Sequence, residues 1–158
     1  MNTEFKSNID DSLFRLIDAC CEAYDNPAFK PHDGITFCNQ AVWFISERMG
    51  YSKFKPRLAN EMVDLMKSSD EWSLVAIEEA QSYANQGRLV IAGMRADHHG
   101  HVVVIRPGLA GISGRWKITV PKVVNVGSEN FIGKSVNWAF QEKPEVYLWR
   151  QDLKVGGV

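Results

Sequence analysis

The apolar pattern of this chain changes period at Gly87. Before it, apolar residues recur at helical spacing; after it, they come in short β-branched runs separated by turn residues. Leu13, Leu16, Ile17, Cys20 and Tyr24 share one face of a first helix, expected from Asp10 or Asp11 to Tyr24. Val42, Ile45 and Met49 share a face of a second helix, which Gly50 can stop. Leu58, Met62, Leu65 and Met66 are in phase in a third. Asp70 or Ser73 can cap a fourth, carrying Val75, Ala76, Ala80 and Tyr83 and closing at Asn85-Gln86-Gly87, where glycine is the expected C-cap. Strands are then expected at residues 88–92, 101–106, 116–120, 123–126 and 145–149. Helices first and strands afterwards imply an α+β fold, with N-terminal helices packed on one side of a small antiparallel sheet.

At 158 residues the sequence fits a single domain, 1–158, with a real core. A formal net charge of −1 gives no basic excess for a nucleic-acid partner. No apolar run reaches the roughly 20 residues of a membrane span. The first residues lack the basic-then-apolar plan of a signal peptide. Synthesis in the cytoplasm without a classical leader is therefore expected. Three cysteines, two of them adjacent, make neither a disulfide framework nor a CxxC metal site.

Cys38 stands where a loop rich in turn signals, residues 25–34, gives way to the second helix. In the first turn of a helix, free N–H groups and the positive end of the dipole favour an anion. A thiol there is expected to ionise more easily than a free one, and the same N–H groups can hold an oxyanion. His101 opens the most apolar strand and is the right residue type to act as base for a thiol. Asn125 interrupts the next strand, 123–126, and a neutral amide is enough to orient an imidazole. Each residue alone has a plainer reading: Cys38 a small core residue, His101 a hydrogen-bonded structural histidine, Asn125 the start of a turn. Together they give the order nucleophile on helix, base on strand, orienting amide on the following strand.

Asp97-His98-His99-Gly100-His101 offers metal-ligand types, but a metal site draws ligands from more than one segment, and only His32-Asp33 offers a comparable pair. His98 and His99 read instead as loop residues near the cleft. Cys20 reads as core, and Trp43, Trp116 and Trp149 as core or cleft wall.

Three stretches carry a resemblance: Thr36-Phe37-Cys38-Asn39-Gln40, residues 84–92, and Gly100-His101-Val102-Val103-Val104-Ile105-Arg106-Pro107-Gly108. With the stretch 124–131, they are similar to the papain-like bacterial cell-wall hydrolases, the NlpC-type peptidases and CHAP amidases. The resemblance implies a papain-like fold, Cys38 as nucleophile, His101 as base and Asn125 as the third polar residue. It implies amide hydrolysis in peptidoglycan through an acyl-enzyme, with the stem peptide as substrate and no cofactor or metal. Phe37 and Asn39 flank Cys38 where NlpC-type enzymes often show Asp-Cys-Ser, a difference bearing on substrate preference. Without a leader, such an enzyme would act at the wall or periplasm by phage lysis or injection by a secretion system, the latter with an immunity protein as partner. Two alternatives stay open: a cysteine acyltransferase or deamidase acting on a protein or lipid, and a non-catalytic binding module on the same scaffold.

Overall fold

The most apolar run of the sequence, His101–Ile105, lies inside a six-stranded antiparallel sheet. The computed structural model describes residues 3–151, with side chains from residue 8 onward. Among the described residues, four α-helices, α1 (Thr3–Asp25), α2 (Cys38–Arg48), α3 (Ala59–Ser68) and α4 (Ile77–Asn85), are combined with eight strands. The strands are β1 (Trp72–Val75), β2 (Val90–Met94), β3 (His101–Ile105), β4 (Gly111–Ser113), β5 (Ile118–Val120), β6 (Lys122–Asn125), β7 (Phe131–Ser135) and β8 (Glu145–Trp149). The large sheet has the order β1-β8-β2-β3-β6-β7, and β4 pairs with β5 in a separate ribbon. Helices segregated from an antiparallel sheet make this an α+β architecture.

Successive residues of β2 and β3 are buried without alternation: Val90, Ile91, Ala92 and Gly93, and Val102 to Ile105. Side chains alternate across a strand, so both faces of the sheet are covered at its centre. The sheet is thus not helix-covered on one side only, as the sequence pattern implied. Both α2 and α4 touch β3. The α4 side chain of Gln81 donates to the Arg106 carbonyl (2.9 Å) and accepts from the Lys122 backbone N–H (2.8 Å). These bonds serve backbone groups at the end of the β3–β6 pair, where the ladder gives out.

Several expected boundaries move. The first helix begins at Thr3, ahead of the proposed caps Asp10 and Asp11. Asp70 and Ser73 do not cap the fourth helix. Trp72–Val75 forms β1 instead, paired along Glu145–Trp149, and the helix starts at Ile77 after Ala76. The burial of Trp72 against Tyr51 and Phe54 decides this, since tertiary packing overrides a local cap signal. Leu58 falls in helical phase with Met62 but sits one residue before α3, where it is exposed. Trp116 precedes β5 in a turn rather than lying on it. Strands β1, β4 and β7 are additions to the expected set.

The core face of α2 holds as expected, and that of α1 in part: Leu13, Ile17 and Tyr24 are half-buried, and Ala19 and Ala23 are buried in addition. Leu16 and Cys20 of α1, and Val42 and Ile45 of α2, are fully buried; Met49, just beyond α2, is buried with them. Gly50 (φ +100°) and Gly87 (φ +76°) end their helices in the left-handed region that favours glycine. No helix among the described residues is long and apolar enough to cross a membrane.

Candidate active site

The approach to Cys38 is a tight loop. Asp33 (φ +52°) and Gly34 (φ +77°) turn the chain, and His32 and Ile35 exchange backbone hydrogen bonds across the turn. The His32 ring stacks on Phe37 (centroids 5.3 Å), the residue just before α2, so this histidine steadies the helix entry. From inside the helix, Trp43 Nε1–H donates to the Arg57 carbonyl (3.0 Å), tying α2 to the segment before α3. Cys38 is therefore the first residue of a helix held on both sides, and its own N–H lies among those with no intrahelical acceptor.

His101 faces the same cleft from the sheet. The β3–β6 register pairs Val104 with Val124 and Ile105 with Val123. Continued outward, it sets Gly127 opposite His101 and Asn125 diagonal to it on the same face. Asn125 Oδ1 lies 2.6 Å from His101 Nε2, and Asn125 Nδ2–H donates to the Glu129 carbonyl (2.7 Å). The second bond fixes the amide, because only its nitrogen can donate to a carbonyl. The oxygen must then face the ring, so Nε2 carries the proton and Nδ1 keeps its lone pair. Gly127 lies flat beside the imidazole: a Cβ there would sit 3.3 Å from His101 Cε1. Phe140 closes against the ring, with centroids 5.1 Å apart.

Cys38, His101 and Asn125 line one cavity of about 310 Å³, with Glu129 and the exposed indole of Trp138 on its rim. A second cavity of about 450 Å³ is also lined by Cys38, with Leu58, Asn60, His98 and His99. The two linings share Thr36, Cys38 and Gly100. An open depression of about 480 Å³ by Arg88 and Arg150 is larger but holds no thiol or imidazole.

The loop carrying His98 and His99 is clamped by Asn60. Its Nδ2–H donates to the Ala96 carbonyl (2.8 Å) and its Oδ1 accepts from the Ala96 N–H (3.1 Å). Both histidines are exposed loop residues lining the second cavity, as read from the sequence. Among the described residues, no three His, Cys, Asp or Glu side chains are gathered to hold a metal ion.

The ionisation of Cys38 departs from expectation. Burial pushes its thiol above the ordinary 9.0; the N–H groups of Val102, Asn39 and Cys38 itself pull it down without overcoming that effect. Burial likewise holds His101 below 6.5, against an opposing pull from the Asn125 hydrogen bond. Both shifts favour a neutral thiol beside a neutral imidazole. The helix position was legible in the sequence; the burial that outweighs it was not.

Trp72 and Trp138 could each line a groove from the sequence alone; Trp138 lines the first cavity and Trp72 is buried in the core, while the role of Asn130 in the Gly127–Asn130 turn carried no local signal. The only signal for the turn was Gly127-Ser128 following Asn125. Compared with known proteins, the chain matches no family model and has no significant match to a curated protein.

Proposed function

We propose that this chain is a papain-like cysteine hydrolase that cleaves an amide bond in bacterial peptidoglycan, as its resemblance to NlpC-type peptidases and CHAP amidases implies. One observation carries the reading: Cys38 and His101 line a single cleft, and Asn125 holds His101 in the tautomer whose free Nδ1 can accept a proton.

Burial disfavours the charged form of each group, so attack and proton transfer belong together. As Cys38 Sγ bonds to the substrate carbonyl carbon, His101 Nδ1 takes the thiol proton. The carbonyl oxygen becomes an oxyanion against the Cys38 N–H at the helix start. Collapse expels the amine, which leaves with the proton from Nδ1, and a thioester remains. His101 then takes a proton from water as its oxygen attacks the thioester, releasing a carboxylic acid and restoring the thiol. Throughout, Asn125 Oδ1 supports the ring through Nε2–H and stabilises the transient imidazolium.

The two cavities that share Cys38 leave room for a chain-like substrate such as a stem peptide. The test is turbidity clearance of purified sacculi by wild type and Cys38→Ala. Clearance by wild type alone supports the reading. Equal clearance by a folded Cys38→Ala protein contradicts it.

A further inference from the structure

Asn130 bonds to both halves of the proposed site. Its Oδ1 accepts from the Gly127 backbone N–H (3.0 Å), and its Nδ2–H donates to the Phe29 carbonyl (3.0 Å), 101 residues away in sequence. Phe29 belongs to the short 3-10 turn Pro27–Phe29 ahead of the cysteine loop, and its ring meets Phe44 of α2 edge-on (centroids 6.0 Å). On that side Asn130 reaches the Cys38 helix through Phe29, which packs on it. On the other it holds Gly127, placed so that a Cβ there would sit 3.3 Å from His101 Cε1, and it directly follows Glu129, whose carbonyl orients the Asn125 amide.

We infer that Asn130 is a positioning residue: it struts the β6–β7 turn against the Phe29 turn, and so fixes the His101 tautomer and the placement of the imidazole relative to Cys38. The inference rests on the cysteine-hydrolase reading for its purpose, though not for its geometry. Asn130 lines neither cavity, so it acts through Gly127, Glu129 and Asn125 rather than on substrate. Without it, the Gly127 N–H loses its acceptor and the Phe29 carbonyl its donor. The turn is then free to shift, and both supports of the imidazole shift with it. Displacements of about 1 Å at a reacting pair cost on the order of a hundredfold in rate.

Asn130→Ala removes both bonds. Asn130→Asp keeps an acceptor for the Gly127 N–H and loses the donor to Phe29. Two readouts need no substrate: the nitrogen-15 shifts of the His101 ring, which report its tautomer, and the rate of Cys38 alkylation by iodoacetamide. For Asn130→Ala, we expect the ring signals to move from the Nε2–H pattern toward a mixture of tautomers, with alkylation slower by roughly tenfold or more. Asn130→Asp falls between it and wild type.

A purely structural asparagine would lower the melting temperature and leave both readouts unchanged, and that result overturns the inference. Should neither variant fold, hydrogen exchange in the wild type decides: slow exchange of the Gly127 amide supports the strut, and exchange at the rate of an open loop overturns it. Failure of the hydrolase reading looks different, since wild type would then leave sacculi intact while the tautomer change persists.

Discussion

Replacing Asn125 by leucine keeps the side-chain shape and deletes both of its hydrogen bonds. The His101 Nε2–H loses an acceptor held at 2.6 Å, and the Glu129 carbonyl loses a donor at 2.7 Å. Asn125 is 6% exposed, so water does not readily replace it. Each net bond is worth about 1 kcal/mol, and a buried partner left unsatisfied costs about 1–3 kcal/mol. A total near 2–4 kcal/mol lowers the melting temperature by roughly 5–15 °C in a chain of this size. Losing the preference for the Nε2–H tautomer is worth about 1–2 kcal/mol to the reaction, or about five- to thirtyfold in rate. The assay is alkylation of Cys38 and sacculus clearance side by side, each corrected for the folded fraction. Asn125→Ala should be milder than Asn125→Leu, because its smaller side chain leaves room for a bridging water. A folded Asn125→Leu protein with both rates within about twofold of wild type would refute the claim that the amide sets the tautomer.

Four further outcomes follow from the same structure. His101 is held below 6.5, so as pH falls through that value the unfolded chain takes up a proton the folded chain refuses. Stability should decline there, and His101→Gln should remove that slope in urea midpoints. Cys38 is held above 9.0, so the unfolded thiol ionises first and stability should fall as pH rises past 9.0; Cys38→Ala should lessen the slope of that limb, which buried Cys20 shares. Fully buried Cys20, pushed up to about 12, should resist iodoacetamide in the native protein while Cys38 labels, a contrast that peptide mapping checks and that equal labelling would contradict. Finally, Gly87→Ala puts a methyl 2.5 Å from the Leu13 backbone nitrogen at φ +76°. It should cost more than about 2 kcal/mol in a urea melt while leaving the His101 ring shifts in place.

Much of this was legible in the sequence because it rests on local rules. Helical spacing gave most of the buried faces of α1 and α2, and Gly50 and Gly87 gave the stops of α2 and α4. The loop-to-helix step placed Cys38, and the valine run after His101 gave the central strand. What escaped depends on distant partners. Trp72–Val75 is a strand only because Glu145–Trp149 lies beside it. Phe131–Ser135 contains Gly133 at φ +87° and has no β-branched run, yet it pairs with β6 through a bulge. In the site, the residue types were readable, but not the electrostatic balance. A helix start favours a thiolate, and the burial of Cys38 outweighs it. Nor does any local pattern connect Asn130 with Phe29.

The central claim is hydrolysis of a peptidoglycan amide through Cys38, and mass spectrometry of digests made in water enriched in oxygen-18 tests it most directly. The account predicts fragments from wild type, absent with Cys38→Ala, in which the new carboxyl group carries one oxygen from solvent beside a newly freed amine. Unlabelled products joined to a second acceptor would point to acyl transfer instead. Intact peptidoglycan from a folded wild-type protein would contradict the account.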